Sequence, residues 1–241
     1  MEQELWNGYP AERFVLDGRR VLLVCPRIAP NGHWAIKSEY FDAFPAVQLS
    51  LLDEGYHIAY IENQTRWHVW ADTDARAALA RYLHEKKGLA EKGVLIGMSC
   101  GGMQGIYFGA KYPQYVSCLY LDAPVVDLRS CPGCMGRATE DGMIAEFEAA
   151  KGIRISELDS YHDHPLDHLP TLAANRVPVV LVAGDSDRTV PFEENGLLLQ
   201  RAYEAAGAPL RVIVKPGCDH HPHSLEDNGP ILDFIRQYDT D

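Results

Sequence analysis

Six short apolar runs separated by longer helical patterns set the rhythm of this chain. Val21–Pro26 (VLLVCP) is apolar almost throughout and stops at proline, the pattern of a strand buried on both faces. Tyr56–Glu62, Gly93–Ser99, Val116–Pro124, Val177–Asp185 and Leu210–Gly217 have the same character, and each predicts a strand. Helices are predicted over Tyr40–Glu54, closed by Gly55, and Asp72–Lys87, closed by Gly88, because glycine readily takes the left-handed conformation that ends many helices. Gly101–Tyr112 stops before Pro113. Phe192–Ala206 follows Pro191, a good first-turn residue, and stops at Gly207; Leu225–Tyr238 is the last predicted helix.

Strand and helix alternating this often predict an α/β fold, a mainly parallel sheet with helices on both faces. No internal repeat or low-complexity linker interrupts it, and 241 residues fit a single such domain, 1–241. One stretch breaks the rhythm. Val125–Leu172 holds no convincing strand, only Pro, Gly, Asp and His clusters and a helical piece over Gly142–Lys151. Residues 125–172 are therefore expected to form a small cap inserted over the active edge of the sheet. That edge lies beyond the carboxyl ends of the parallel strands.

Composition changes this picture only by exclusion. With 46% hydrophobic and 23% charged residues the chain reads as an ordinary globular protein, long enough to need neither disulfides nor a structural metal. A formal charge of −12 argues against nucleic acid or an anionic membrane as partner. No apolar stretch approaches the roughly 18 residues of a membrane span, and the opening MEQELWNGYPAERF has no basic start followed by an apolar run. Four of the six cysteines sit in or beside apolar runs, where a free thiol behaves as a small hydrophobe. A reducing, cytoplasmic setting is expected; the oligomeric state is left open.

The chemistry gathers in three loops, each following a predicted strand. Gly97-Met98-Ser99-Cys100-Gly101-Gly102 matches G-x-S-x-G between a strand and a helix, the context that a nucleophile elbow requires. Small residues two before and two after Ser99 permit the sharp turn that exposes its hydroxyl. The backbone N–H of Cys100 is then aimed at the same place, where the helix dipole favours an oxyanion. Gly184–Pro191 offers two carboxylates. Asp187, further into the loop, is favoured to reach a histidine; Asp185, at the strand end, is expected to fix the loop, and Asp122 is a weaker rival. The third loop, Lys215–His223, offers His220 as general base, with His221 as second choice; a solvated polar loop or a metal site of clustered histidines is the alternative, and no metal is expected there. Serine, aspartate and histidine follow one another in the order expected for this arrangement.

Other groups compete for attention. Cys131-Pro132-Gly133-Cys134 is a C-x-x-C, read here as a turn because it neither follows a strand nor has a second pair. His162, His164 and His168, with Asp163 and Asp167, could bind a metal, but His164–Asp167 reads as a helix start with Asp167 as N-cap, so no metal is expected. Trp34 and Trp67 are expected to line a substrate pocket. A second oxyanion donor is expected from the loop after Val21–Pro26, at the backbone of Arg27 or Ile28.

The chain resembles the α/β-hydrolase superfamily over nearly its whole length. More closely, it looks like small bacterial esterases and prolyl-oligopeptidase-like hydrolases. The resemblance rests on Trp34-Ala35-Ile36-Lys37-Ser38-Glu39-Tyr40-Phe41, on Ala43-Phe44-Pro45, and on the LL-x-x-G-Y turn at Leu51–Tyr56. Asp122-Ala123-Pro124-Val125 and the closing His220–Leu225 (HHPHSL) complete it. Two positions depart from it: Cys100 stands where arginine often follows the serine, and Cys131 where an aromatic often follows Ser130. The resemblance implies a serine hydrolase that needs no cofactor and cleaves a small-molecule ester of short acyl chain, with a carbohydrate acetyl ester among the options. A peptidase or amidase using the same triad, and a silent binding protein on the same fold, are the rivals.

Overall fold

A computed structural model describes residues 4–240. Nine strands form one sheet in the order β1-β2-β3-β5-β4-β6-β7-β8-β9. They are β1 (Leu5–Trp6), β2 (Tyr9–Leu16), β3 (Arg19–Val24), β4 (Trp34–Lys37), β5 (His57–Ile61), β6 (Gly93–Met98), β7 (Val116–Asp122), β8 (Val179–Gly184) and β9 (Leu210–Lys215). From β5 to β9 every neighbouring pair is parallel. The first three strands are an antiparallel meander that joins this block through β3 and β5.

The helices are α1 (Ala46–Asp53), α2 (Trp70–Lys87), α3 (Cys100–Lys111), α4 (Ile144–Lys151), α5 (Pro165–Ala174), α6 (Gly196–Ala206) and α7 (Gly229–Tyr238). Side chains alternate across a strand, so each central strand feeds two cores. On β8, Val179 and Leu181 join a core built with α2, α3, α5 and α6. Val180 and Val182 join the opposite core, built with α1 and α7. Burial on both faces explains why these strands read as continuous apolar runs.

Three expectations are corrected here. The helix expected from Tyr40 begins only at Ala46, because the preceding residues belong to β4 and the loop that follows it. The insertion expected over 125–172 gives its last part to the sheet: Leu169, Leu172 and Ala173 of α5 lie in the core beneath α3 and α6. Asp167 is the third residue of α5 and not its cap; its carboxylate accepts a hydrogen bond from the backbone N–H of His164, which occupies the cap position (2.9 Å).

Trp34 is also corrected, from pocket wall to core. It opens β4 opposite His57, the first residue of β5, and so lies at the edge where the parallel strands begin. It is 1% exposed, and its indole N–H donates to the carbonyl of Ala90 (2.8 Å). Trp34→Ala is expected to lower unfolding free energy by about 3–5 kcal/mol, the range for emptying a large aromatic site. Denaturant titration measures it; a change under about 1 kcal/mol would contradict the core assignment.

Candidate active site

Ser99 stands between β6 and α3 with φ 53° and ψ −120°. A side chain at positive φ is disfavoured, and the surrounding backbone must hold it there. Its N–H donates to the carbonyl of Asp122 at the end of β7 (2.9 Å), and its own carbonyl accepts from Gly102 (2.9 Å) and Val125 (3.2 Å). The turn is so tight that a Cβ at Gly97 would lie 2.4 Å from the carbonyl oxygen of Gly101, and one at Gly102 would lie 2.5 Å from Pro124. Cys100 is the first residue of α3, where a backbone N–H has no partner within the helix. Its thiol is buried, which pushes its pKa up to about 11.

Asp187 lies in the loop after β8. One carboxylate oxygen accepts from the N–H groups of Thr189 (2.9 Å) and Val190 (2.7 Å). The other meets His220 Nδ1 at 2.7 Å. On the far side of the ring, His220 Nε2 is 3.1 Å from Ser99 Oγ. The structure therefore brings Ser99, His220 and Asp187 into one hydrogen-bonded line at the carboxyl ends of β6, β8 and β9. The rival carboxylates do not join it. Asp185 accepts from Gly217 N–H (2.7 Å) and pins the two loops together. Asp122 holds His223 Nδ1 (2.9 Å) and also accepts from Tyr120 OH (2.8 Å) and Ser224 N–H (2.6 Å).

The loop carrying His220 is fastened from both sides. Asp219 accepts from His220 N–H (2.9 Å) and from the backbone and guanidinium of Arg188 (3.0 and 2.6 Å). These bonds pull the Asp219 carboxyl down to about 2.

A cleft of about 530 Å³ opens over Ser99, walled by Tyr40, Phe44, Met98, Met143, Arg66 and His223. A larger groove of about 730 Å³ crosses β2 and β3 on the far side of the sheet order and touches none of the three aligned residues. Most of the cleft walls went unnoticed in the sequence. Tyr40 and Phe44 follow β4, whose four residues end in a lysine and give little strand signal. Lys37 is buried against the carbonyl of Ala43 (3.1 Å), Gln48 (3.2 Å) and Met98 (3.2 Å), and burial pulls its ammonium down to about 8.

Two expected site residues lie elsewhere. β3 runs antiparallel to β5, pairing Val24 with Ile58, so the loop after β3 leaves the sheet at the edge opposite Ser99. Arg27 is there, its Nε donating to the carbonyl of Gly8 (2.8 Å) and its guanidinium covering Tyr9. Ile28 follows it. The loop that does approach the elbow follows β4. Ser38 Oγ donates to the carbonyl of Gly101 (2.7 Å), and Asn63 donates to the Ser38 carbonyl (2.6 Å) and to Glu39 (2.8 Å). Fully buried Arg76 braces Asn63 (2.8 Å) and Gln104. Trp67 is buried against Phe147 of α4 (ring centroids 5.3 Å apart) and does not line the cleft. Its neighbour Arg66 does reach the cleft and is clasped by Glu146 of α4 (2.8 Å).

Two of the three histidines between residues 162 and 168 are tied to their own surroundings. His164 contacts the carbonyl of Leu158 (3.0 Å), and His168 pairs with Asp163 (2.7 Å). Cys131 and Cys134 are free thiols.

The sequence profile of the prolyl oligopeptidase family matches residues 53–238. The chain belongs to the prolyl oligopeptidase family. Among curated proteins, the acylamino-acid-releasing enzyme of Rattus norvegicus is 27% identical over 160 residues, 64% of this chain and 21% of that protein. An uncharacterized protein of Mycobacterium tuberculosis is 38% identical over 79 residues, 32% of this chain and 27% of that protein. The chain thus spans about a quarter or less of the length of these relatives. Among solved structures, an acylaminoacyl peptidase of Pyrococcus horikoshii superposes with a TM-score of 0.68 at 14% identity, covering 88% of this chain and 37% of that one. Est1E from Butyrivibrio proteoclasticus gives 0.58 at 16% identity, covering 87% and 90%. This prolyl oligopeptidase family member has the α/β-hydrolase fold.

The two aspartates of the β8 loop should separate by experiment. Asp187→Asn places an amide against His220 Nδ1 and favours the wrong tautomer, so turnover should fall by about 10⁴ with little loss of stability. Asp185→Asn should lower the melting temperature and leave most of the turnover. Rates and thermal melts on both variants decide; the reverse pattern would exchange the two roles.

Proposed function

We propose that this protein hydrolyses short-chain carboxylic esters, with Ser99 as nucleophile, His220 as general base and Asp187 as the carboxylate that orients the histidine. The observation that carries this reading is the unbroken line from Asp187 Oδ2 through the His220 ring to Ser99 Oγ, with distances of 2.7 and 3.1 Å, at the floor of a cleft. Ser99 attacks the ester carbonyl as His220 Nε2 takes its proton. Asp187, held by two backbone N–H groups, keeps Nδ1 protonated and stabilises the imidazolium. The oxyanion forms beside the N–H of Cys100, at the positive end of α3, with a second donor supplied by the loop after β4. His220 then protonates the leaving alcohol, and water repeats the sequence on the acyl-enzyme. The reaction as written needs no cofactor.

A cleft of about 530 Å³ admits a small molecule, and the side chains of Tyr40, Phe44, Met98 and Met143 give the acyl group an apolar seat. Arg66, Glu140 and His221 at the same cleft suit a hydroxyl-bearing leaving group, as in a carbohydrate acetyl ester. A second reading, cleavage of an amide such as an acylated amino acid, is favoured by the match to acylamino-acid-releasing enzymes. No described helix is long and apolar enough to cross a membrane.

Ser99→Ala should lower p-nitrophenyl acetate turnover at least about 10³-fold while the melting temperature holds, in line with triad knockouts generally. A fluorophosphonate probe should label the wild type and not the variant. In a chain-length series kcat/KM should fall beyond butyrate. Retention of more than about a tenth of the activity in Ser99→Ala would remove the serine from the mechanism. Faster cleavage of an aminoacyl anilide than of the matching ester would replace the ester reading with the amide one.

A further inference from the structure

Three imidazoles meet along the wall of the cleft. The rings of His220, His221 and His223 have centroids 4.9 Å apart in every pairing and are mutually tilted by 59°, 79° and 89°. Each ring offers a nitrogen, and these three atoms lie within 4.8 Å of one another. No other cluster of three or more His, Cys, Asp or Glu side chains among the described residues is gathered closely enough to hold a metal ion.

Acyl transfer uses only one of these rings, yet a second is built in the same way. His223 Nδ1 rests on Asp122 at 2.9 Å, as His220 Nδ1 rests on Asp187 at 2.7 Å. The Asp122 carboxylate is fully buried and is itself fixed by Tyr120 OH and Ser224 N–H. A carboxylate that accepts from Nδ1–H fixes the tautomer with the lone pair on Nε2 and makes that nitrogen a better donor, as it does behind histidines that bind metals. Two of the three donors are thus held ready. The third, His221, is exposed and stacks on Phe44 (5.4 Å, 16°).

We propose that His220, His221 and His223 bind a divalent transition metal of the zinc class, and that its binding switches the hydrolase off. Zinc held tetrahedrally by nitrogens at roughly 2.0–2.1 Å needs them about 3.3 Å apart. The trio, whose nitrogens lie within 4.8 Å of one another, must therefore draw together around the ion. The metal takes the Nε2 lone pair of His220, the pair that otherwise receives the Ser99 proton. One lone pair cannot serve both, so the bound metal blocks the general base. Magnesium and calcium, which select oxygen donors, should not act. The inhibitory half of this inference rests on the roles proposed for Ser99 and His220; the binding half does not.

The test begins with Ser99→Ala, which keeps all three imidazoles and removes turnover. Zinc titration by calorimetry should show one equivalent bound, and Co²⁺ should give the visible absorption of a nitrogen-ligated tetrahedral or five-coordinate ion. Adding His221→Ala, at an exposed position, or His223→Gln should weaken zinc binding at least about tenfold. On the wild type, zinc should inhibit ester hydrolysis with a midpoint matching its Kd. EDTA should restore the rate, and magnesium should have no effect. Zinc affinity unchanged by both histidine substitutions would overturn the site, and zinc bound at the trio with full activity would overturn the switch. The titrations on Ser99→Ala decide the metal site even if the wild type shows no esterase activity, so the two readings fail separately.

Discussion

The site depends on one backbone residue held where side chains rarely go. Ser99 sits at φ 53°, a conformation that costs on the order of 1–3 kcal/mol and persists only when its surroundings over-determine it. Here they do. Gly97 and Gly102 leave room for no Cβ, and the carbonyl of Asp122 and the N–H of Val125 clasp the serine peptide from the neighbouring strand end. The conformation lifts the hydroxyl off the sheet and turns the first N–H groups of α3 toward the same space. The Ser99 hydroxyl and the Cys100 N–H, the nucleophile and oxyanion donor of the proposed reaction, are therefore set by a single turn.

The remaining parts are placed by the parallel sheet. β6, β7, β8 and β9 end at one edge, so loops far apart in sequence emerge side by side. Cross-loop bonds then fix their mutual positions: Asp185 to Gly217, Arg188 to Asp219, and Asp187 to His220. Positioning of this kind removes the entropy of assembling the reacting groups before substrate arrives. Asp122 makes two further joints of this kind. Its carbonyl holds Ser99, while its carboxylate holds His223 and Ser224.

Much of this was legible from residue patterns. Strands buried on both faces, such as Gly93–Met98 and Val179–Gly184, announce themselves as apolar runs, and the three loops that hold Ser99, Asp187 and His220 follow such runs. What stayed hidden has physical causes. β4 is four residues long and ends in Lys37, a charge that a strand pattern does not lead one to expect in a core. Periodicity carries no strand direction, so the loop of Arg27, after antiparallel β3, looked equivalent to loops that open on the cleft. Trp34 and Trp67 are aromatics beside strand-connecting loops in sequence, and only the packing shows both to be fully covered. The apolar face of α5 that returns the chain to the sheet was likewise masked by the Pro-, Asp- and His-rich stretch before it.

The double attachment of Asp122 bears on how such a sequence can drift. It belongs to no catalytic trio, yet its replacement is felt by both the elbow and the histidine loop, while its backbone half survives any substitution and its side-chain half survives almost none. Variation at 122 should therefore be tolerated only together with compensating changes at 223 and 224. Those three positions should diversify as a linked set.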